Sequence, residues 1–242
     1  MQVWMFIKPG KSGKRKRKAT LIPVLDKAKE RGMKILNLYC GIGGNRKLWG
    51  DEHDITAVEM NPDIAKIYQG FFPDDTVVVG DAHQYLLEHY SEFEFIWSSP
   101  PCPTHSRMNF LHNIKGNELK YPDMKLYQEI LFLKQFFKGR YVVENVRSYY
   151  TPLVTPQEVS GHYFWSNFYI PKYTTRLKVR NDKGCTLSVK MEAKNFNIKD
   201  FYNYNGDKRT LLNNAIEPEL GLHILNESQK GGQEVLNFNP RA

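Results

Sequence analysis

Cysteine is scarce: Cys40, Cys102 and Cys185 are the only three in 242 residues, they lie far apart, and none forms a Cys-x-x-Cys pair. This spacing argues against a disulfide framework or a thiolate metal site, and it fits a reduced, cytoplasmic setting. No apolar run approaches the ~18 residues of a membrane span, and no signal-peptide pattern opens the chain. Neither a membrane nor a metal is therefore expected as a partner. Internal repeats are absent, and so is the Gly-x-Gly-x-x-Gly turn that cradles a pyrophosphate.

Acidic charge is scarce only at one end. Residues 1–32 hold ten Lys/Arg against Asp26 and Glu30, which accounts for the whole formal charge of +8; the remainder balances 24 basic against 24 acidic residues. The basicity belongs to an arm, "GKSGKRKRKAT", and not to the folded body. Lys14, Arg15, Lys16 and Arg17 are its densest part and the expected phosphate contacts, since clustered cations neutralise a nucleic-acid backbone without reading sequence. A solubilising tail and a targeting signal are competing readings of the same run.

Beyond "LIPVLDKAKERG", a short helix ended by Gly32, strands and helices alternate. "MKILNLYC", "DITAVEM", "DTVVVGD", "FEFIW" and "GRYVVENV" read as buried strands. Between them 45–50, "PDIAKIYQGFF", "AHQYLLEHY" and "KLYQEILFLKQFF" read as helical. This order predicts an α/β fold with a doubly wound, mostly parallel Rossmann-like sheet and right-handed crossovers. "HYFWSNFYI" adds an aromatic strand. Residues 171–208 show no clear period, and "RTLLNNAIEPELGLHILNES" returns to a helical pattern. The expected division is a basic arm and short helix over 1–32, a catalytic core over 33–168, a short segment over 169–208, and a C-terminal helix with a loose tail over 209–242.

Ligands of open α/β sheets bind at the carboxyl ends of the strands. Gly41, Gly43 and Gly44 follow the first strand and permit a tight turn with close approach of a ligand. Glu59 ends the second strand, where a carboxylate can accept both hydroxyls of a ribose. Asp81 ends the third, where it can hold an adenine amino group. A nucleoside lacking a pyrophosphate suits this pattern, and S-adenosylmethionine is one. Cys102 follows the fourth strand between two prolines that stiffen the backbone, in "SSPPCPTHSRMN". Glu144 ends the fifth strand, where a neighbouring-strand placement brings it to Cys102. A thiol and a carboxylic acid facing a transferable methyl suggest covalent activation of an unreactive carbon.

In their order, "YCGIGG", "EM", "GDA", "PPCPTHS", "ENV" and "NNAIEP" resemble the motifs of the DNA cytosine-5 methyltransferases, over about 34–168 and 209–226. The resemblance implies a methyltransferase core with a small target-recognition insertion at 169–208. It also implies transfer of a methyl from S-adenosylmethionine to C5 of a cytosine flipped out of double-stranded DNA. The family's nucleophile falls on Cys102, its N3-binding acid on Glu144, and the position of its second arginine on His162. The implied cofactor pocket is Tyr39, Cys40, Gly41, Ile42, Gly43, Gly44, Glu59, Met60, Asp81, Ala82, Pro100, Asn214 and Ala215. Ser106, Arg107 and Asn109 are expected to touch nucleic acid. Arg176, Lys178 and Arg180 alternate as on one strand face; Arg176 and Arg180 are candidate phosphate contacts, and a solvated edge strand explains them equally well. The expected protein is a monomer on DNA in the cytoplasm of a prokaryotic or phage-infected cell.

The sequence departs from that family at three places: Pro103 where many members have Gln, Asn213 where they have Gly, and His162. An RNA substrate, as in the family's tRNA branch, and a nucleic-acid-binding relative without activity are the alternative readings. Cys40 and Cys185 are expected to be inert, and His105 to be a solvated loop residue.

Overall fold

The computed structural model describes residues 32–114, 120–174, 186–198 and 204–230. The basic arm, Arg176, Lys178, Arg180 and Cys185 lie outside the described residues. One seven-stranded sheet organises the rest, in the order β3-β2-β1-β4-β5-β7-β6. Its strands are β1 (Lys34–Leu38), β2 (Asp54–Glu59), β3 (Thr76–Val79), β4 (Phe95–Ser98), β5 (Arg140–Val146), β6 (Gln157–Val159) and β7 (His162–Ser166). The first five are parallel; β7 runs antiparallel to both β5 and β6. Strands β1 and β4 are buried from both faces, which is why they read as apolar runs without alternation.

Helices cover both faces. They are α1 (Pro62–Phe71), α2 (Ala82–His89), α3 (Arg107–Ile114), α4 (Lys125–Phe136), α5 (Leu187–Lys194), α6 (Lys208–Asn214) and α7 (Pro218–Gln229). On one face Leu36, Ile96 and Val143 pack against Leu86 of α2 and Ile130 and Leu133 of α4. On the other, Ile35, Trp97 and Phe164 meet Leu220 and Ile224 of α7. The doubly wound α/β architecture is the one the alternating pattern predicts. Helix α1 starts where it does because Asn61 accepts from the amides of Asp63 and Ile64 and Pro62 opens the first turn.

Several elements differ from the sequence reading. The helix expected over 45–50 is a single 3-10 turn at Arg46–Leu48. The pattern from Arg209 onward is two helices, interrupted at Ala215–Glu217 and restarted by Pro218. Strand β6 and helix α3 carried no clear periodic signal. Within 169–208, α5 does form, capped by Thr186 and closed by Asn195 in the left-handed region at φ 52°. Its Met191, with Phe196 and Ile198 beyond it, packs into one apolar cluster with Ile42, Ile67 and Tyr68. This part of the segment is tied to the core. Among the described residues no helix is long and apolar enough to cross a membrane.

The chain order reverses between β1 and β4, which neighbour each other at the sheet's centre. Residues following Leu38, Ser98 and Val143 leave the sheet at one edge, because these positions share a register. That edge is where an open parallel sheet receives ligands.

Candidate active site

The loop after β1 begins under strain. Tyr39 has φ +54°, a conformation that costs a non-glycine residue about 1–3 kcal/mol. Its hydroxyl secures it, lying 2.5 Å from Glu129 Oε1. Glu129 is fully buried on α4 and also receives the Ser98 hydroxyl at 2.6 Å and faces His83 Nδ1 at 3.0 Å. One carboxylate thus joins the ends of β1 and β4 to the start of α2. Burial, then the charge and hydrogen bond of Glu129, raises the Tyr39 pKa above the usual tyrosine range. The hydrogen bond to Glu129 likewise raises His83, against the effect of burial. Glu129 was not legible in the sequence, where a lone Glu on an amphipathic helix reads as solvated.

Glu59 ties down the same loop. Its two oxygens accept from the amides of Gly41, at 3.1 Å, and Asn61, at 2.9 Å. Gly41 adopts φ +54°, and a Cβ there would meet nothing within 4 Å: its position opens onto free space. Gly44 is the opposite case, since a Cβ would stand 2.4 Å from the Ile216 carbonyl oxygen. The late 215–216 segment therefore lies directly against the glycine loop. Asp81 caps α2 through one oxygen, accepting from His83 N and Gln84 N, and its other oxygen lies 3.7 Å from Lys125 Nζ.

A cavity of about 180 Å³ opens here, lined by Tyr39, Met60, Asp81 and Pro100 together with Pro101, His105, Asp123, Lys125 and Leu126. Four of the residues expected around a cofactor thus share one cavity. Of the others, Cys40, Ile42, Ala82 and Ala215 are buried, and Asn214 is exposed. Burial, then the charge of Glu59, pushes the Cys40 thiol up, which suits an inert role. Asp123, Lys125 and Leu126 were missed because they follow a loop without periodic pattern.

Cys102 is half-buried in a tight turn, where its carbonyl accepts from the amides of His105 and Ser106 at 3.0 and 3.1 Å. The turn is fastened from β5: Asn145, 1% exposed, donates to the Pro100 carbonyl at 3.0 Å. Asn109, expected to touch nucleic acid, is buried, and its amide donates to the carbonyls of Thr104 and Lys120. Its polar atoms hold the loop. Ser106 bonds within the same turn, to the Pro103 carbonyl at 3.3 Å, while Arg107 is exposed. His105 is not solvated: it is 1% exposed, with Nδ1 2.6 Å from the Tyr150 hydroxyl. Burial depresses its pKa.

Glu144 and His162 meet across the sheet. Glu144 faces Phe164 and Val146 faces His162 in the β5–β7 register, so the four side chains share a face and the diagonal pair is within reach. His162 Nδ1 lies 2.8 Å from Glu144 Oε1, with side-chain exposures of 25% and 9%. Burial disfavours the imidazolium, but the hydrogen bond and charge of Glu144, with the charge of Glu217, outweigh it and raise the His162 pKa. Burial also raises the Cys102 thiol, and the charge of Glu144 adds to it. The carboxylate and the thiolate therefore oppose one another: neutralising Glu144 favours ionisation of Cys102.

Residues 33–152 match the C-5 cytosine-specific DNA methylase family. No curated protein matches the sequence. Among solved structures, a hypothetical protein of Thermus thermophilus is 17% identical over 65% of this chain and 92% of its own, with a TM-score of 0.41. A mutant DNMT2 from Spodoptera frugiperda is 26% identical over 47% of this chain and 35% of its own, at 0.34. The Entamoeba histolytica methyltransferase EhMeth is 16% identical over 48% and 38%, at 0.32. The chain thus spans little more than a third of the latter two.

Proposed function

Because residues 33–152 match the C-5 cytosine-specific DNA methylase family, we propose that this protein methylates C5 of cytosine in DNA through a covalent adduct between Cys102 and C6 of a flipped base. The observation that carries the reading is the grouping of Cys102, Glu144 and His162 at the sheet edge that also holds the Gly41–Gly44 loop. Glu144 and His162 are 2.8 Å apart, and Asn145, next to Glu144 on β5, ties down the Cys102 turn through the Pro100 carbonyl at 3.0 Å.

S-adenosylmethionine fits the other half of the edge, given the open space at Gly41 and the cavity shared by Tyr39, Met60, Asp81 and Pro100. Glu59 and the Asp81 oxygen that faces Lys125 are its polar anchors in this reading, with Ala215 closing the pocket behind Gly44. When bound, this cofactor supplies an electrophilic methyl group.

C5 of cytosine is a poor nucleophile until C6 is attacked. The Cys102 thiolate forms the S–C6 bond, and the C5=C6 electron pair moves through C4 onto N3. Glu144 donates a proton at N3, which requires its protonated form, and His162 holds its carboxyl group in place. Electron density returned to C5 accepts the methyl. Loss of the C5 proton to a base, cleavage of S–C6 and return of the N3 proton to Glu144 then restore the ring, the thiolate and the acid. The base must leave the duplex for this to occur, since its C6 is inaccessible within a stack. Arg107 and the basic arm are the proposed phosphate contacts.

Incubation with S-adenosylmethionine carrying a labelled methyl, separately with DNA and RNA, tests the proposal. Nucleoside analysis is expected to find 5-methylcytosine in the DNA. Label in RNA alone would move the substrate to the family's RNA branch, and label in neither would leave the reading without support.

A further inference from the structure

Helix α5 lies within the 169–208 segment and ends at Lys194, which is 8% exposed. A lysine so enclosed needs a reason, because burying an ammonium is costly unless its donors are engaged. Two acceptors are in place. Lys194 Nζ donates to the Ala215 carbonyl and lies 3.7 Å from Glu217 Oε1. An ammonium carries three N–H groups, and among the described residues no third acceptor meets Lys194. Its acceptor Ala215 lies directly against the Gly44 end of the glycine loop, and its charge acts on Glu144 and His162 although burial lowers its own pKa.

His162 leaves a gap that Lys194 fills. A neutral imidazole has one N–H. In the neutral tautomer that donates from Nδ1 to Glu144 at 2.8 Å, Nε2 has no proton to give a base, so a donor that does not depend on the protonation of the imidazole has to come from another residue. Attack of the Cys102 thiolate forms S–C6 and places its negative charge on N3 and, by conjugation through C2, on the O2 carbonyl. Glu144 neutralises N3. Charge on O2 needs a second donor, and Lys194 is a buried cation with one N–H to give.

We propose that Lys194 is a catalytic residue that donates its third N–H to the O2 carbonyl of the flipped cytosine. It stabilises the charge that develops there as the thiol adds, while Ala215 and Glu217 fix its direction. This rests on the covalent cytosine chemistry proposed above. It also gives α5 a place in the reaction: an element of the segment expected to recognise the target reaches the target base itself.

The test uses DNA in which every cytosine is 5-fluorocytosine, so that no target sequence need be known, with an RNA polymer in parallel. Fluorine cannot leave as a proton, so turnover stops at the covalent adduct. With S-adenosylmethionine present, the wild type should trap, and Lys194→Gln should trap roughly a hundredfold to a thousandfold more slowly, the range for removing one donor to developing negative charge. Lys194→Arg should recover to within about tenfold. Both variants should keep the wild-type melting temperature and affinity for S-adenosylmethionine. Equal trapping by wild type and Lys194→Gln would overturn the assignment while leaving Cys102 as nucleophile. No trapping by the wild type on either polymer would overturn the underlying chemistry and this inference with it. If Lys194→Gln does not fold, the wild type is compared on cytosine and 2-thiocytosine polymers. The weak thiocarbonyl acceptor should slow methyl transfer at least tenfold, and an equal rate would refute the contact.

Discussion

Replacing His162 by alanine removes the partner of a carboxyl that is 9% exposed, across a 2.8 Å contact. A hydrogen bond involving a charged group contributes about 1.5–3 kcal/mol, and for a domain of this size each kcal/mol is worth about 2–4 °C. His162→Ala should therefore melt about 3–12 °C below the wild type near pH 6. The His162 pKa is raised above its ordinary 6.5, burial being outweighed by Glu144 and Glu217. A raised folded pKa stabilises fully below the unfolded value, and that increment is lost as pH rises through the folded one. The deficit should be largest below about pH 6.5 and shrink on the alkaline side, while the neutral hydrogen bond persists. Single-turnover methyl transfer should fall on the order of tenfold to a thousandfold, because Glu144 loses the group that orients it. His162→Arg should remain active with a flattened pH profile. Differential scanning calorimetry from pH 5.5 to about 9, beside single-turnover rates, measures both. A deficit that does not change with pH, or an unchanged rate per folded molecule, would refute the reasoning.

Asn145→Ala leaves the buried Pro100 carbonyl without its 3.0 Å donor and should cost about 1–3 kcal/mol. With the Cys102 turn loosened, the rate should fall by up to about a hundredfold with cofactor affinity little changed; loss of stability with full turnover would show that the tether does not position the thiol. Gly44→Ala places a Cβ 2.4 Å from the Ile216 carbonyl, so calorimetry should show weakened S-adenosylmethionine binding and a loss of about 1–3 kcal/mol. Deleting residues 1–32 should lower DNA affinity by roughly a hundredfold at low salt and flatten its salt dependence, while turnover at saturating DNA stays the same; an unchanged salt slope would free the arm from the DNA.

What the sequence made legible follows from physics that acts locally. Buried parallel strands are apolar throughout, so β1, β2, β4 and β5 stood out, and their ends placed Gly41, Glu59, Cys102 and Glu144 at one edge. Proline on both sides of Cys102 signalled a fixed thiol before any geometry was known. Polar groups whose partners come from distant segments stayed hidden. Glu129 reads as solvated until Tyr39, Ser98 and His83 are seen to converge on it. Asn109 reads as a nucleic-acid contact and His105 as a solvated loop residue, yet both are buried, with hydrogen-bond partners at Lys120 and Tyr150. Lys194 reads as one more cation in a basic stretch, and its burial depends on Ala215 and Glu217, more than twenty residues away. Helix α5 was missed because its Leu187 and Met191 face a cluster assembled from the β1 loop, β2 and the separate helices α1 and α6.

The account stands on Cys102 as the nucleophile. Trapping the protein on 5-fluorocytosine DNA with S-adenosylmethionine, then digesting the complex and mapping the modified peptide by mass spectrometry, addresses that directly. The predicted result is one adduct, methylated on the base, on the peptide that contains Cys102, and none from Cys102→Ser. An adduct on Cys40 or Cys185, or methyl transfer that persists in Cys102→Ser, would contradict it.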